Sequence, residues 1–260
     1  MSKLTQAAKF TASLYYQKGK VGYAGYVRRD DIAMLALRPG RSDPYTIYEN
    51  LRARQLFENL FELRRREPRD DIVSRLVAVE GAQVKPAEIL PMCVLLLVAG
   101  FETTVNLIGN GVLALLSHPA QWRALCADPA GMAAKTVEEV LRYDSPVQLT
   151  SRIALEPVKL EDREIRKGQL VLTLLGGANR DPEVYGHPDV FDIGRENPVP
   201  HLAFSSGIHY CLGQPLARLE ATIAFRMLAE RMPRLRLVGP VKRRNATIIR
   251  GPLSLPVAVV

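Results

Sequence analysis

Phe204-Ser205-Ser206-Gly207-Ile208-His209-Tyr210-Cys211-Leu212-Gly213 is the stretch on which the reading of this chain turns. Its one cysteine lies between Gly207 and Gly213, just ahead of a helical pattern in which Leu216, Leu219, Ile223 and Met227 recur at helical spacing. Leu216 to Ala221 are strong helix formers. The thiolate, not the thiol, binds metals and attacks carbon, and the unpaired N–H groups at a helix N-terminus favour its charge. Two glycines let backbone approach the sulfur closely, because they carry no Cβ. Phe204 can cover the site and keep water from it. A cysteine on its own is more often a small core hydrophobe. Here the cysteine stands in the local pattern Phe-x-x-Gly-x-His-x-Cys-x-Gly, a setting that turns the reading toward a functional thiol.

Working outward, Pro86 to about Ser117 reads as one long helix, stopped by Pro119 and interrupted by Pro91. Within it lies Ala99-Gly100-Phe101-Glu102-Thr103-Thr104. A glutamate in an apolar helix is costly unless paired, hydrated or used. Gly100 costs roughly 1 kcal/mol against alanine there. The Thr103 hydroxyl can compete for backbone carbonyls and open the helix locally. Taken alone, this segment is better explained by a kinked core helix than by a functional groove. Glu139 and Arg142 lie three apart on a predicted helix and can pair. Leu149–Ile153, Val158–Leu160 and Gln169–Leu174 read as short strands, with a turn at Lys167-Gly168 and another at Arg250-Gly251-Pro252.

Taken together, these segments resemble the cytochromes P450. The ten-residue loop resembles that family's haem-ligand loop, with Cys211 as the iron ligand. Ala99 to Thr104 resembles its oxygen-binding groove. The resemblance implies that Ala99, Gly100, Phe204, Gly207, His209 and Gly213 line a haem b site. It implies that Arg152, His201 and His209 contact the propionates, and that Glu102 and Thr103 relay protons as the catalytic pair. It makes Glu139, Arg142 and Arg195 a buried structural lock. The implied fold is mainly α with small β-sheets, the C-terminal haem-binding half of a P450-like fold. Residues 1–55 resemble the start of such a protein and 56–260 its haem-binding region, in one compact domain overall. The implied activity is insertion of an oxygen atom from O2 into a small hydrophobic substrate, with electrons from a ferredoxin-type protein. A haem-binding or interaction protein without monooxygenase activity is the alternative.

Several helices that the family places between the two segments are absent, with the join near Ala53 to Gln55. They normally form part of the substrate pocket, its lid and one propionate contact. Their absence predicts an exposed apolar face on the long helix, over which a homodimer can form.

The totals are consistent with this. A chain of 260 residues with 47% apolar and 24% charged residues can bury a substantial core. The net charge of +8 admits nucleic acid or an acidic partner. Basic and aromatic residues interleave over residues 1 to 30, where a short helix and an extended arm are expected. No nucleic-acid-binding motif accompanies them, so no nucleic-acid partner is expected. Cys93, Cys126 and Cys211 form no disulfide or zinc spacing, which suits a reducing cytoplasm. The apolar run Ile89–Phe101 contains Pro91 and is closed by Glu102, too short for a membrane span. Leu56, Leu60 and Leu63 are expected on one face of a helix starting at Arg54, and Ser42 or Asp43 as the cap of a helix through Leu51.

Overall fold

The structure is a computed structural model that describes residues 45–196 and 199–259, with side chains from Arg54 onward. The expectations for residues 1 to 30, and for a cap at Ser42 or Asp43, lie outside the described residues.

The first helix among the described residues, α1, spans Tyr45–Arg66 without a break. The join expected near residues 53 to 55 therefore falls inside one helix. Its inward residues differ from the expected stripe. Phe61 is buried and Phe57 and Leu60 pack beside it, whereas Leu56 and Leu63 are exposed. Stacked Phe57 and Phe61 carry the contact because each ring buries more surface than a leucine. After Pro68, Asp71 caps α2 (Ile72–Ala78), accepting from the Ser74 amide at 2.8 Å. That bond, with Arg64 at 2.6 Å, holds the Asp71 carboxyl below the usual carboxylate range. Phe61, Val73, Ile89 and Cys93 close this small core.

Helix α3 runs Pro86–Ser117, as the sequence predicts, with Pro91 inside it. Its length and composition would suffice to cross a membrane. The expectation of too short an apolar run counted only its first half. The chain divides into two compact units, one ending at Leu96 and the other Leu97–Val260.

The core of the second unit is built by α3 from Leu107 onward, α4 (Pro119–Ala127), α5 (Pro129–Tyr143) and α7 (Gln214–Arg231). Leu107, Leu115, Leu125, Val140, Leu141, Phe191, Ile193 and Phe225 fill it. Gly111 lets α3 meet α7, since a Cβ there would stand 2.2 Å from the Phe225 ring. Helix α5 buries Glu139 and Arg142 completely. Arg142 donates twice to Glu139 at 2.8 Å and to the carbonyls of Asn179, Pro188 and Val190. Arg195 reaches Glu139 at 3.4 Å. A surface pair at this spacing would add tenths of a kcal/mol, but a fully desolvated one fixes the loops around it.

The described residues form four two-stranded antiparallel sheets. β1 (Thr150–Ile153) pairs with β4 (Leu170–Thr173), and β2 (Val158–Leu160) with β3 (Arg163–Ile165). The sequence reading missed β3, whose turn is carried by Glu161 at φ 51°. A short helix, α6 (Leu175–Ala178), follows β4. β5 (Leu235–Leu237) pairs with β8 (Val257–Val259), and β6 (Lys242–Arg243) with β7 (Pro252–Ser254). Arg250 to Pro252 is thus not the turn between the last two strands. Pro252 opens β7, and the Arg250 amide donates to Pro146 O at 2.8 Å.

Candidate functional site

The cysteine loop is anchored at both ends by backbone. The Ser205 amide donates to Leu202 O at 2.8 Å, and the Cys211 amide to Phe204 O at 3.0 Å. Gly207–His209 form a single 3-10 turn, and Gln214 opens α7 with Pro215 in its first turn. Gly207 stands at φ 62°, and a Cβ there would meet nothing within 4 Å. At Gly213 the nearest atom to such a Cβ would be Cys211 Sγ, 4.0 Å away. Cys211 is exposed, while burial pushes the thiols of Cys93 and Cys126 up. Of the three cysteines, Cys211 is the exposed one.

Behind the loop, His201 is buried, with its ring 5.9 Å from that of Phe204. Its Nδ1 accepts from the Ala203 amide at 3.2 Å, which leaves the ring proton on Nε2. Nε2 lies 3.2 Å from Glu138 Oε2, within ion-pair range, but off the line of a hydrogen bond, so it is buried without one. Burial opposes ionisation of Glu138. The contacts with His201 and Arg218 outweigh it and hold the carboxyl at about 2.

On α3, the four expected residues Ala99, Gly100, Glu102 and Thr103 form one turn. Thr103 Oγ1 donates to Ala99 O at 2.6 Å, and Asn106 Nδ2 to Glu102 O at 2.8 Å. Two side chains therefore compete for carbonyls of the same turn, the local opening that threonine permits. Glu102 is paired with Arg244 at 2.7 Å. The carboxylate whose presence in an apolar helix called for a partner has one, in the residue that follows β6. Asn110 Nδ2 ties the next turn to the carbonyls of Asp144 and Arg250. A Cβ at Gly100 would meet nothing within 4 Å, so this face of the helix is open. Leu97, Val98, Phe101 and Val105 around it are exposed, the apolar face of the long helix that the sequence predicts to be exposed.

Arg152 sits on β1, where its Nη1 donates to Ser151 O at 2.9 Å. The structure thus gathers Phe204, Gly207, His209, Cys211 and Gly213 in one loop, with His201 packed behind. It gathers Ala99, Gly100, Glu102 and Thr103 on one helical turn. No hydrogen bond or ion pair among the described residues joins those two segments, or either of them to Arg152. Asn106, Glu138, Arg218 and Arg244 were not anticipated. Each lies beside a recognised motif residue, but its partner is distant in sequence or is a backbone atom.

These residues fit a flat apolar cofactor with a thiolate-seeking metal. The thiol is exposed beside glycines, the open turn at Gly100 leaves room, and the buried Nε2 of His201 lacks a hydrogen-bond acceptor.

The sequence profile of the family described as cytochrome P450 matches residues 132–231. The chain is 47% identical over 188 residues to the biotin biosynthesis cytochrome P450 of Bacillus subtilis, covering 72% of this chain and 47% of that protein. Among solved structures, a Mycobacterium smegmatis cytochrome P450 with econazole bound is 45% identical, with TM-score 0.78. The match covers 86% of this chain and 57% of that one. A cytochrome P450 in complex with an acyl carrier protein ligated to hexadec-9Z-enoic acid is 35% identical, with TM-score 0.77. That match covers 98% of this chain and 74% of the other. The chain spans about half the length of the curated relatives it matches.

Proposed function

Because this chain belongs to the cytochrome P450 family, whose members bind haem b, we propose that it binds haem b through the Cys211 thiolate and acts as a monooxygenase on a small hydrophobic substrate. The observation that carries the reading is the exposed Cys211, held by its amide to Phe204 O at the mouth of α7. Haem supplies the oxygen activation and electron transfer when bound. The chain's own residues bind, orient and supply protons. Phe204, Gly207, His209 and Gly213 would hold the haem beside the cysteine loop. Ala99 and Gly100 would leave room for it on the α3 turn. His201, His209 and Arg152 are the propionate donors of this reading. For Arg152 and His201, that means exchanging present contacts for a carboxylate.

Glu102 and Thr103 are read as the proton-handling pair. The Thr103 hydroxyl now donates to Ala99 O, so it must turn to pass a proton outward. Arg244 keeps Glu102 oriented and within reach of solvent, both being about one-third exposed.

Residues 56–260 are read as the haem-binding region and 1–55 as the segment resembling the start of the family. The electron donor is read as a ferredoxin-type protein. An acyl carrier protein, as in the related complex, is a second candidate partner. Nucleic acid has no place in this reading. Helix α3 is read as a protein-packed helix and not a membrane span, because Leu107, Asn110 and Leu115 are buried. A cytoplasmic setting follows the bacterial relatives.

A haem-binding protein without monooxygenase activity is the second reading. It is favoured by one observation, the exposure of Leu97, Val98, Phe101 and Val105, which leaves a substrate poorly enclosed. The test supplies electrons from a surrogate ferredoxin and reductase in air. The first reading expects hydroxylated product, and at least about tenfold less product per electron in Thr103→Ala. Haem uptake with no product from any hydrophobic probe supports the second.

A further inference from the structure

Arg218, in the second turn of α7, touches the cysteine loop from both sides without reaching the sulfur. Its Nε and Nη2 donate to Glu138 Oε1 and Oε2 at 2.6 and 3.0 Å, a two-point bridge from α7 to α5. Its Nη1 donates to Tyr210 Oη at 3.4 Å and to Gln214 Oε1. Its guanidinium carbon lies 4.7 Å from the centroid of the Phe204 ring. One planar cation therefore contacts the residue that opens the loop, the residue before Cys211 and the residue that begins the helix. The Cys211 amide completes the circuit by donating to Phe204 O.

The loop needs such a hold. Ser205 stands at φ 62°, a conformation that strains a residue with a Cβ. Strain of this kind persists only where surrounding contacts over-determine it. Partly exposed ion pairs usually contribute little, but a two-point arginine–carboxylate pair is the exception in geometry, and the aromatic face adds cation–π attraction. Lysine could not reproduce it, because a single ammonium cannot span both carboxylate oxygens and lie flat on a ring.

We propose that Arg218, seated on Glu138, is the positioning residue for Cys211, holding Phe204 to Gly213 in its presenting shape before any cofactor arrives. That the presented thiol is a haem ligand rests on the function proposed above; that the loop is held in advance does not. The test is amide hydrogen exchange on the haem-free chain, followed by reconstitution with haem.

In Arg218→Leu and Glu138→Gln, the amides of residues 204–213 should exchange at least about fivefold faster than in wild type, the effect of losing a charge-assisted bond. Arg218→Lys should fall between, and α4 and β1–β4 should keep wild-type rates. Glu138→Gln keeps the side-chain shape and serves where Arg218→Leu does not fold. Unchanged loop exchange in a folded variant overturns the proposal. So does loosening that spreads equally through α5 and α7, which would make the pair a general helix tie. On reconstitution, the same variants should show a smaller thiolate-ligated fraction than wild type. Faster loop exchange in the variants, together with no thiolate ligation in wild type, leaves the positioning role standing and refutes the haem-ligand reading.

Discussion

Glu138 is where the chemistry of single residues is easiest to follow. It sits beside the better-known kind of buried carboxylate, Glu139, yet is itself partly exposed and shared by Arg218 and the His201 ring. Its folded pKa, about 2, lies below the roughly 4.3 of a free glutamate. Its stabilising contribution is therefore complete above the unfolded value and is lost as pH falls toward the folded one. Thermal melts of wild type and Glu138→Gln should differ most near neutral pH and converge as pH falls from about 5 toward 3. A gap that stays constant over that window would mean the charge does not matter. Gly100 gives the complementary case. With nothing within 4 Å of a Cβ, Gly100→Ala should stabilise the haem-free chain by about 0.5–1 kcal/mol in denaturant titrations. If the open turn faces the cofactor, the same change should weaken haem uptake.

At the scale of elements, α5 carries the largest single electrostatic commitment. Removing Arg142 leaves Glu139 buried without its two-point partner, with only the longer Arg195 contact at 3.4 Å, so Arg142→Ala should cost roughly 3 kcal/mol, read as a shift in the urea midpoint. Gly111→Ala should also destabilise strongly, because the Phe225 ring occupies the space. Long helices and the cysteine loop were legible in the sequence because each has local signals: a 3.6-residue period, a proline stop, a filled motif. The burying faces were less legible. On α7 the regular leucine stripe at Leu216, Leu219 and Ile223 is the exposed side, and Ala221, Phe225 and Ala229 pack inward. Small residues won there because they let α5 approach closely, a choice made by the neighbour and not by the helix. Strand β3 was missed because Arg163-Glu164-Ile165 has too few apolar residues to alternate. Arg218 and Arg244 read as surface charges, because Glu138 and Glu102 lie 80 and 142 residues away.

At the scale of the molecule, the unusual feature is apolar surface. Phe101 on α3 is 72% exposed and Leu212 in the cysteine loop 86%, and the leucine stripe on α7 is exposed as well. The exposed apolar turn of α3, with Leu97, Val98, Phe101 and Val105, is the kind of face that binds something. We propose a second copy of the chain as one occupant. Light scattering after size exclusion should then show mass rising with concentration, and Phe101→Glu should shift the chain toward monomer. A monomer at all concentrations would remove the homodimer from the account. The fold itself was legible at this scale only through resemblance, since no composition signal marks a chain that spans about half the length of its relatives.

The central claim, that Cys211 holds haem iron as a thiolate, is tested most directly by the absorption spectrum of the reduced, CO-treated protein with haem supplied in excess. The account predicts the long-wavelength Soret band of thiolate ligation in wild type and its loss in Cys211→Ala. Wild type without that band, or Cys211→Ala retaining it, would contradict the claim.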